Sequence, residues 1–162
     1  AAEKKAAEKA GFDAVQLHGG HGYLLHDFLS SYHLGWSLDC YFHNDDNVDV
    51  STDTFMRKYV EFGECLIGYC HGDKEKKRLD GLMQIEAKEA WGRTRYREWH
   101  CGHLHSEQTR EVNGIIIRNL SSFTGTDAWH NVHGYVGSVK KCESFIWDRH
   151  KGLKMIIVTT VD

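Results

Sequence analysis

The feature that most constrains this chain is a seven-residue stretch at residues 99–105, which reads Trp-His-Cys-Gly-His-Leu-His. His103 and His105 are two positions apart, and on an extended backbone such side chains project from the same face. Two neutral imidazoles on one face can bind one metal ion, or one ion each of a close pair. The stretch therefore predicts a metal site. The competing interpretation is chance, because the chain contains 12 histidines.

Length, charge and cysteine content set the general class of the chain. Its 162 residues are enough for one domain with a core, and 41% of them are hydrophobic. The net charge of −3 excludes a generally basic protein that would hold nucleic acid through its overall field. Five cysteines without a Cys-x-x-Cys pair favour reduced thiols in a cytoplasmic protein. No apolar stretch is long enough to span a bilayer, so a membrane partner is not expected.

The alternation and turn signals predict a chain rich in strands. Three hairpins are expected, turning at Gly63–Glu64, at Asn113–Gly114 and around Asp148–Gly152. Asp73 is expected to cap a helix whose apolar positions run from Leu79 to Trp91 with three- and four-residue spacing. Further strands are predicted at residues 12–17, 48–50, 57–62, 65–70, 96–100, 109–112, 115–120, 142–147 and 153–158, and further helices at residues 1–10 and 32–42.

A series of motifs from about residue 31 to residue 162 resembles the C-terminal half of calcineurin-like metallophosphoesterases, in particular their phage and bacterial type. The resemblance implies an α+β fold, a partial metallophosphoesterase-like β-sandwich with flanking helices. Half of that family's two sheets would be missing, so we expect exposed apolar edges and self-association. The matching motifs are at residues 57–59, 66–73, 99–105 and 122–130.

The resemblance also implies a metal site and a reaction. His71, His103 and His105 correspond to metal ligands, and members of the family use manganese, iron or zinc. The implied reaction is hydrolysis of a phosphodiester, with DNA as one candidate substrate. The family's remaining ligands lie in an Asp-x-His pair, a bridging Asp and a Gly-Asn-His motif, and these motifs are absent here. The metal site is therefore expected to be incomplete, although three imidazoles alone can hold one zinc ion.

Residues 1–30 resemble a different family, the flavin-dependent ene-reductases related to old yellow enzyme. The resemblance implies one α-β unit in which His18 and His21 hold a substrate carbonyl oxygen and Tyr23 donates a proton. One such unit cannot close an eight-stranded barrel, and the flavin phosphate site is missing, so FMN is not expected. The sequence thus predicts a chimera of two parts, residues 1–30 and residues 31–162, with the junction near Ser30.

Three alternatives to a phosphoesterase follow from the same residues. The first is a non-catalytic zinc-binding protein with a mixed site of Cys70, His71, Cys101, His103 and His105. The second is a fragment of a flavin-dependent oxidoreductase that uses His18, His21 and Tyr23. The third is an inactive chimera. His100, within the central strand, is expected to be a hydrogen-bonded core histidine, and Cys70 and Cys101 are expected to be small buried groups.

Overall fold

The computed structural model describes the backbone of residues 14–18 and, with side chains, residues 55–122, 137 and 139–160, apart from the side chain of Lys76. In these parts, a five-stranded mixed sheet and a three-stranded antiparallel sheet are accompanied by two short α-helices. The fold class is therefore α+β, as expected. No helix in the described residues is long and apolar enough to cross a membrane. The expected elements at residues 1–10, 32–42 and 48–50 lie outside the described residues.

The five-stranded sheet has the order β2-β3-β4-β6-β5. Its centre is parallel, because β3 pairs with β4 and β4 with β6 in the same direction, whereas β2 and β5 are antiparallel edge strands. The hairpin at Asn113–Gly114 is confirmed, and both residues have positive φ, as a two-residue hairpin turn of this sequence requires. The strands are β2 (Arg57–Phe62), β3 (Cys65–Cys70), β4 (Tyr96–Cys101), β5 (Gln108–Val112) and β6 (Ile115–Asn119).

The predicted single helix is divided into two. A 3₁₀ turn, Lys76–Arg78, leads into α1 (Leu79–Glu86), and α2 (Lys88–Arg93) follows after Ala87. Ala87 has φ −111° and ψ 36°, which is not helical, and this breaks the run of helical residues. The prediction that Asp73 caps the helix is wrong, because α1 begins at Leu79, six residues after Asp73, and its N-cap residue Arg78 makes no side-chain capping bond.

The three-stranded sheet has the order β1-β7-β8, formed by β1 (Ala14–His18), β7 (Lys141–Asp148) and β8 (Gly152–Thr160). The strand predicted in the N-terminal segment thus pairs antiparallel with β7, with Ala14 opposite Trp147 and His18 opposite Glu143. On the edge strand β8, the side chains of Met155, Ile157 and Val158 are 42–49% exposed. Self-association through such apolar groups stays a prediction.

The five-stranded sheet is covered on both faces, which gives two hydrophobic clusters. The first lies between the sheet and α1 and contains Leu66, Cys70, Leu79, Met83, Trp99, Cys101, Ile115 and Ile117. The second lies between the two sheets and contains Cys65, Ile67, Leu120, Phe145 and Trp147. Alternate residues of β3 and β4 therefore point to different clusters, as a strand buried on both faces requires.

Candidate metal centre

The two central strands bring His71 and His103 to the same edge of the sheet. His71 directly follows β3, and His103 is the second residue after β4, in the strands' shared parallel direction. The backbone N–H of Gly102 donates to the carbonyl of His71 at 3.1 Å, which ties the two chain segments together just beyond the strands. The carboxyl ends of parallel strands are the usual place for ligand binding in α/β sheets. The order of the strands therefore creates the pairing of these two histidines.

The rings of His71 and His103 are in contact. Nδ1 of His103 lies 3.1 Å from Nε2 of His71, and the ring centroids are 4.9 Å apart with planes inclined at 68°. This spacing suits a hydrogen bond between two neutral imidazoles, one nitrogen donating and the other accepting. It also suits two ligands of one ion, because bonds of about 2.0–2.1 Å separate neighbouring ligand nitrogens by about 3 Å. The pair therefore fits as two ligands of a zinc-like ion.

The loop after β4 is tightly folded, so His103 and His105 do not lie on the extended backbone on which two such side chains would share a face. His103 and His105 have φ values of 56° and 51°, in the left-handed region that non-glycine residues seldom adopt. The N–H of Leu104 donates to the carbonyl of Gly102 at 2.7 Å, which closes the turn. Two left-handed residues two positions apart do not share a face as they would on a strand. This is why only His103 of the two meets His71.

A third ligand does not join the pair within the described residues. No three His, Cys, Asp or Glu side chains in these parts of the chain lie close enough together to hold a metal ion. The assignment of His71, His103 and His105 as metal ligands stays a prediction, with His71 and His103 now placed side by side. Any further ligand would have to come from another part of the chain or from a rearranged loop.

The mixed Cys/His zinc site is not formed by its five candidate residues, which all lie in the described parts. Cys70 and Cys101 belong to the cluster beneath α1, and both are buried, as expected. Their Sγ atoms are 3.5 Å apart, and either thiol can donate to the other. This hydrogen bond, together with burial, raises the pKa of the Cys70 thiol well above its usual value. A raised thiol pKa opposes the thiolate form that zinc requires.

A cleft of about 250 Å³ opens beside the histidine pair, starting at Gly72 and Leu104, the residues that follow His71 and His103. It carries two cationic side chains, those of Lys77 and Arg110, and two amides. Within the described residues, neither cation forms an ion pair. The cleft thus combines positive charge and amide groups with an apolar floor. Its other lining residues are Leu79, Cys101, Gln108, Ile117 and Asn119.

A buried polar network behind the site was not predicted. Oε1 of Glu98 accepts from Arg118 Nε at 2.5 Å and lies 2.9 Å from His100 Nε2. All three residues are buried between the two sheets. Burial raises the pKa of Glu98, but the hydrogen bonds and charges of His100 and Arg118 outweigh it, so this pKa lies below its usual value. The expectation for His100 as a hydrogen-bonded core histidine is confirmed. In the sequence, Glu98 and His100 alternate with the apolar residues Trp99 and Cys101 of β4, and Arg118 follows three isoleucines on β6.

The residues predicted from the ene-reductase resemblance lie mostly outside the described residues. His18 is the last residue of β1, and only its backbone is described. His21 and Tyr23 lie outside, and so does most of the motif at residues 122–130. The proposed role of His18, His21 and Tyr23 in holding a carbonyl substrate therefore stays a prediction, as does the division at residue 30.

Comparisons with known proteins give partial matches. No protein-family model matches the chain. A segment of 29 residues is 66% identical to an NADPH dehydrogenase from Clostridium acetobutylicum, covering 18% of this chain and 9% of that protein. Among solved structures, a single mutant of Vps29 from Entamoeba histolytica is similar with a TM-score of 0.39 and 17% identity, covering 70% of this chain and 65% of that one.

A predicted phosphoesterase from Streptococcus pneumoniae is similar with a TM-score of 0.37 and 12% identity, covering 71% of this chain and 67% of that one. The present chain thus spans about two thirds of the length of these structures and under a tenth of the dehydrogenase it matches.

Proposed function

We propose that the chain is a metal-dependent phosphoesterase, or a domain derived from one, whose metal is held in part by His71 and His103. The observation that carries this proposal is the 3.1 Å separation of His103 Nδ1 and His71 Nε2 at the ends of two parallel strands. A divalent ion at this position would supply Lewis acidity toward a phosphoryl oxygen. Manganese, iron and zinc are the candidate ions, and a phosphodiester such as DNA is the candidate substrate.

The chain's own residues have two tasks in this proposal. His71 and His103 present their ring nitrogens from a fixed backbone, because Gly102 is hydrogen bonded to the carbonyl of His71. Lys77 and Arg110 line the adjacent cleft and would hold the negative charge of a phosphate group. No described carboxylate completes the centre. A binuclear centre would therefore need ligands from outside the described residues, from a rearranged loop, or from a separate polypeptide.

The first test is metal binding by isothermal titration calorimetry of the full chain with Zn²⁺ and with Mn²⁺. The proposal expects a saturable site in the wild-type protein. His71→Ala and His103→Ala should each weaken binding by about tenfold or more, because each removes one of the two nitrogens. His150→Ala is the matched control, since His150 is an exposed histidine in the turn between β7 and β8. Equal zinc affinity in all four proteins would refute the proposed ligands.

The second test is hydrolysis of bis(p-nitrophenyl) phosphate with the same metals. A rate above that of metal alone, lost in His71→Ala and His103→Ala but kept in His150→Ala, would support a phosphoesterase. Saturable binding without hydrolysis would instead favour the non-catalytic alternative, which the absence of a described carboxylate at the pair supports. If the wild-type protein neither binds the metal nor hydrolyses the ester, the phosphoesterase resemblance describes ancestry only.

A further inference from the structure

A pair of buried thiols lies directly under the histidine pair. Cys70 ends β3, Cys101 ends β4, and the two residues are register partners in the parallel pairing of these strands. Their Sγ atoms are 3.5 Å apart, with Cys70 7% exposed and Cys101 1% exposed. The next residue after Cys70 is His71, and His103 follows Cys101 by two positions. The thiols therefore join the same two strand ends that carry the candidate metal ligands.

The positions of the two residues suit a covalent bond. Neighbouring strands lie about 4.8 Å apart, and disulfides join Cα atoms separated by about 4.4–6.8 Å. The sulfur atoms already face each other and would have to approach by about 1.5 Å to reach a disulfide length of about 2.0 Å. Among the other described cysteines, Cys65 lies in the cluster between the sheets, and Cys142 lies on the second sheet.

One residue of the thiol pair lines the cleft. Cys101 lines the cleft beside the histidine pair, together with Gly72. A Cβ built on Gly72 would lie 3.1 Å from Cβ of Cys101 and 3.8 Å from its Sγ, so the absence of a side chain at residue 72 keeps this side of Cys101 uncrowded. The arrangement thus places one residue of the thiol pair at the wall of the cleft, with the partner sulfur 3.5 Å from its own.

We propose that Cys70 and Cys101 form a redox-modification site, in which a peroxide converts the two thiols to an intramolecular disulfide. Cys101 first attacks one peroxide oxygen, which gives Cys101 sulfenic acid and one water as the O–O bond breaks. Cys70 then attacks the Cys101 sulfur, the S–O bond breaks, and the second water leaves with the two remaining hydrogens. Two thiols and one hydrogen peroxide thus give one disulfide and two waters. The bond would fix the ends of β3 and β4 to each other.

The test is peptide mapping of the folded full chain after brief treatment with hydrogen peroxide, without reduction. Trypsin releases residues 59–74, with Cys65 and Cys70, and residues 98–110, with Cys101. The proposal expects these peptides to be linked, with fragmentation placing the link at Cys70 in about tenfold excess over Cys65. In protein unfolded by urea, the two links should form to similar extents, because the loops they close are of similar length.

Variants provide a second readout. The link should persist in Cys65→Ser and disappear in Cys70→Ser, with Cys101→Ser as a further negative variant. If a variant does not fold, the fragmentation map of the wild-type chain still decides the question. The proposal is overturned if the folded protein gives no linked peptide, equal links to Cys65 and Cys70, or a predominant link to Cys142. The peptide map does not require metal binding or hydrolysis, so it stands apart from the tests of the proposed function.

Discussion

A Cβ added to Gly68 would lie 2.5 Å from Cε3 of Trp99. Gly68 is the register partner of both Trp99 on β4 and Tyr59 on β2, and the two aromatic rings meet edge-to-face at 5.2 Å across it. Trp99 is fully buried and donates from Nε1 to the carbonyl of Leu79 at 2.8 Å, so its ring cannot easily shift. We expect Gly68→Ala to lower the free energy of unfolding by about 1–3 kcal/mol through overpacking. Urea denaturation of the wild type and the variant measures this change in the free energy of unfolding.

A matched control for this glycine is available in α1. A Cβ at Gly81 meets nothing within 4 Å, and the residue lies inside a helix. Gly81→Ala should therefore raise the free energy of unfolding by about 0.5–1 kcal/mol, because alanine favours the helix. Opposite signs for the two substitutions are the expected result. Equal effects of the same sign would contradict the packing of Trp99 against Gly68.

The guanidinium of Arg118 neutralises a buried carboxylate, that of Glu98. We expect Arg118→Met to destabilise the protein by about 3–5 kcal/mol, because Glu98 would keep its charge between the sheets after losing its cationic partner. Arg110 on the neighbouring strand β5 is exposed, and Arg110→Met should change stability by less than about 0.5 kcal/mol. Thermal and urea unfolding of both variants would test this. A loss below about 1 kcal/mol for Arg118→Met would show that the carboxylate is not held as the structure indicates.

The hairpins and the buried strands were predictable because their signals are local. The bounds predicted for β2 and β3 are those observed, and Asn113–Gly114 forms the expected turn. Alternation and two-residue turns act over a few residues, so no partner is needed to recognise them. The break at Ala87 was missed, because the apolar spacing continues across it and the helical period carries no sign of an interruption.

The candidate site was predictable only in part, because it depends on strands far apart in sequence. The sequence indicated that His71 and His103 follow strands, but their contact also requires β3 and β4 to be parallel neighbours in register. The left-handed residues at 103 and 105 separate two histidines that spacing alone would have joined. The network of Glu98, His100 and Arg118 joins β4 and β6. Nothing in the sequence indicated that the polar residues of these two strands would contact each other.

The buried carboxylate of Glu98 makes stability depend on pH. Its pKa is lowered in the folded protein, because His100 and Arg118 outweigh the effect of burial, so its contribution is present above the unfolded pKa of about 4.3 and lost as pH falls through the folded value. We expect the free energy of unfolding to fall from about pH 5 downward. Other carboxylates with lowered pKa, including Glu86 and Asp148, add to this fall.

The comparison with Glu98→Gln isolates the contribution of this one residue. Glutamine cannot ionise, so the variant should be less stable than the wild type at pH 7 and should lose less stability between pH 5 and about pH 3. Urea denaturation at several pH values in one buffer system would give both curves. Parallel curves for the two proteins would mean that Glu98 has the same pKa in the folded and unfolded states.

The cations of the cleft offer a test of the phosphate site that does not depend on catalysis. Lys77 and Arg110 line the cleft, and within the described residues neither is paired with a carboxylate. Removing one charge, in Lys77→Met or Arg110→Met, should weaken binding of inorganic phosphate by about three- to tenfold, because each charge-assisted hydrogen bond contributes about 1 kcal/mol or more. The difference should shrink at high salt, since both side chains are exposed to solvent.

Lys154→Met is the control for that experiment, because Lys154 lies exposed on β8, in the other sheet. Phosphate affinity measured by calorimetry at low and at high salt should be unchanged in this variant relative to wild type. A loss of affinity equal to that of Arg110→Met would show that phosphate senses only the net charge of the protein, because each substitution lowers that charge by one. Retention in Lys154→Met with loss in both cleft variants would locate the anion between the 3₁₀ turn and β5, next to His71 and His103.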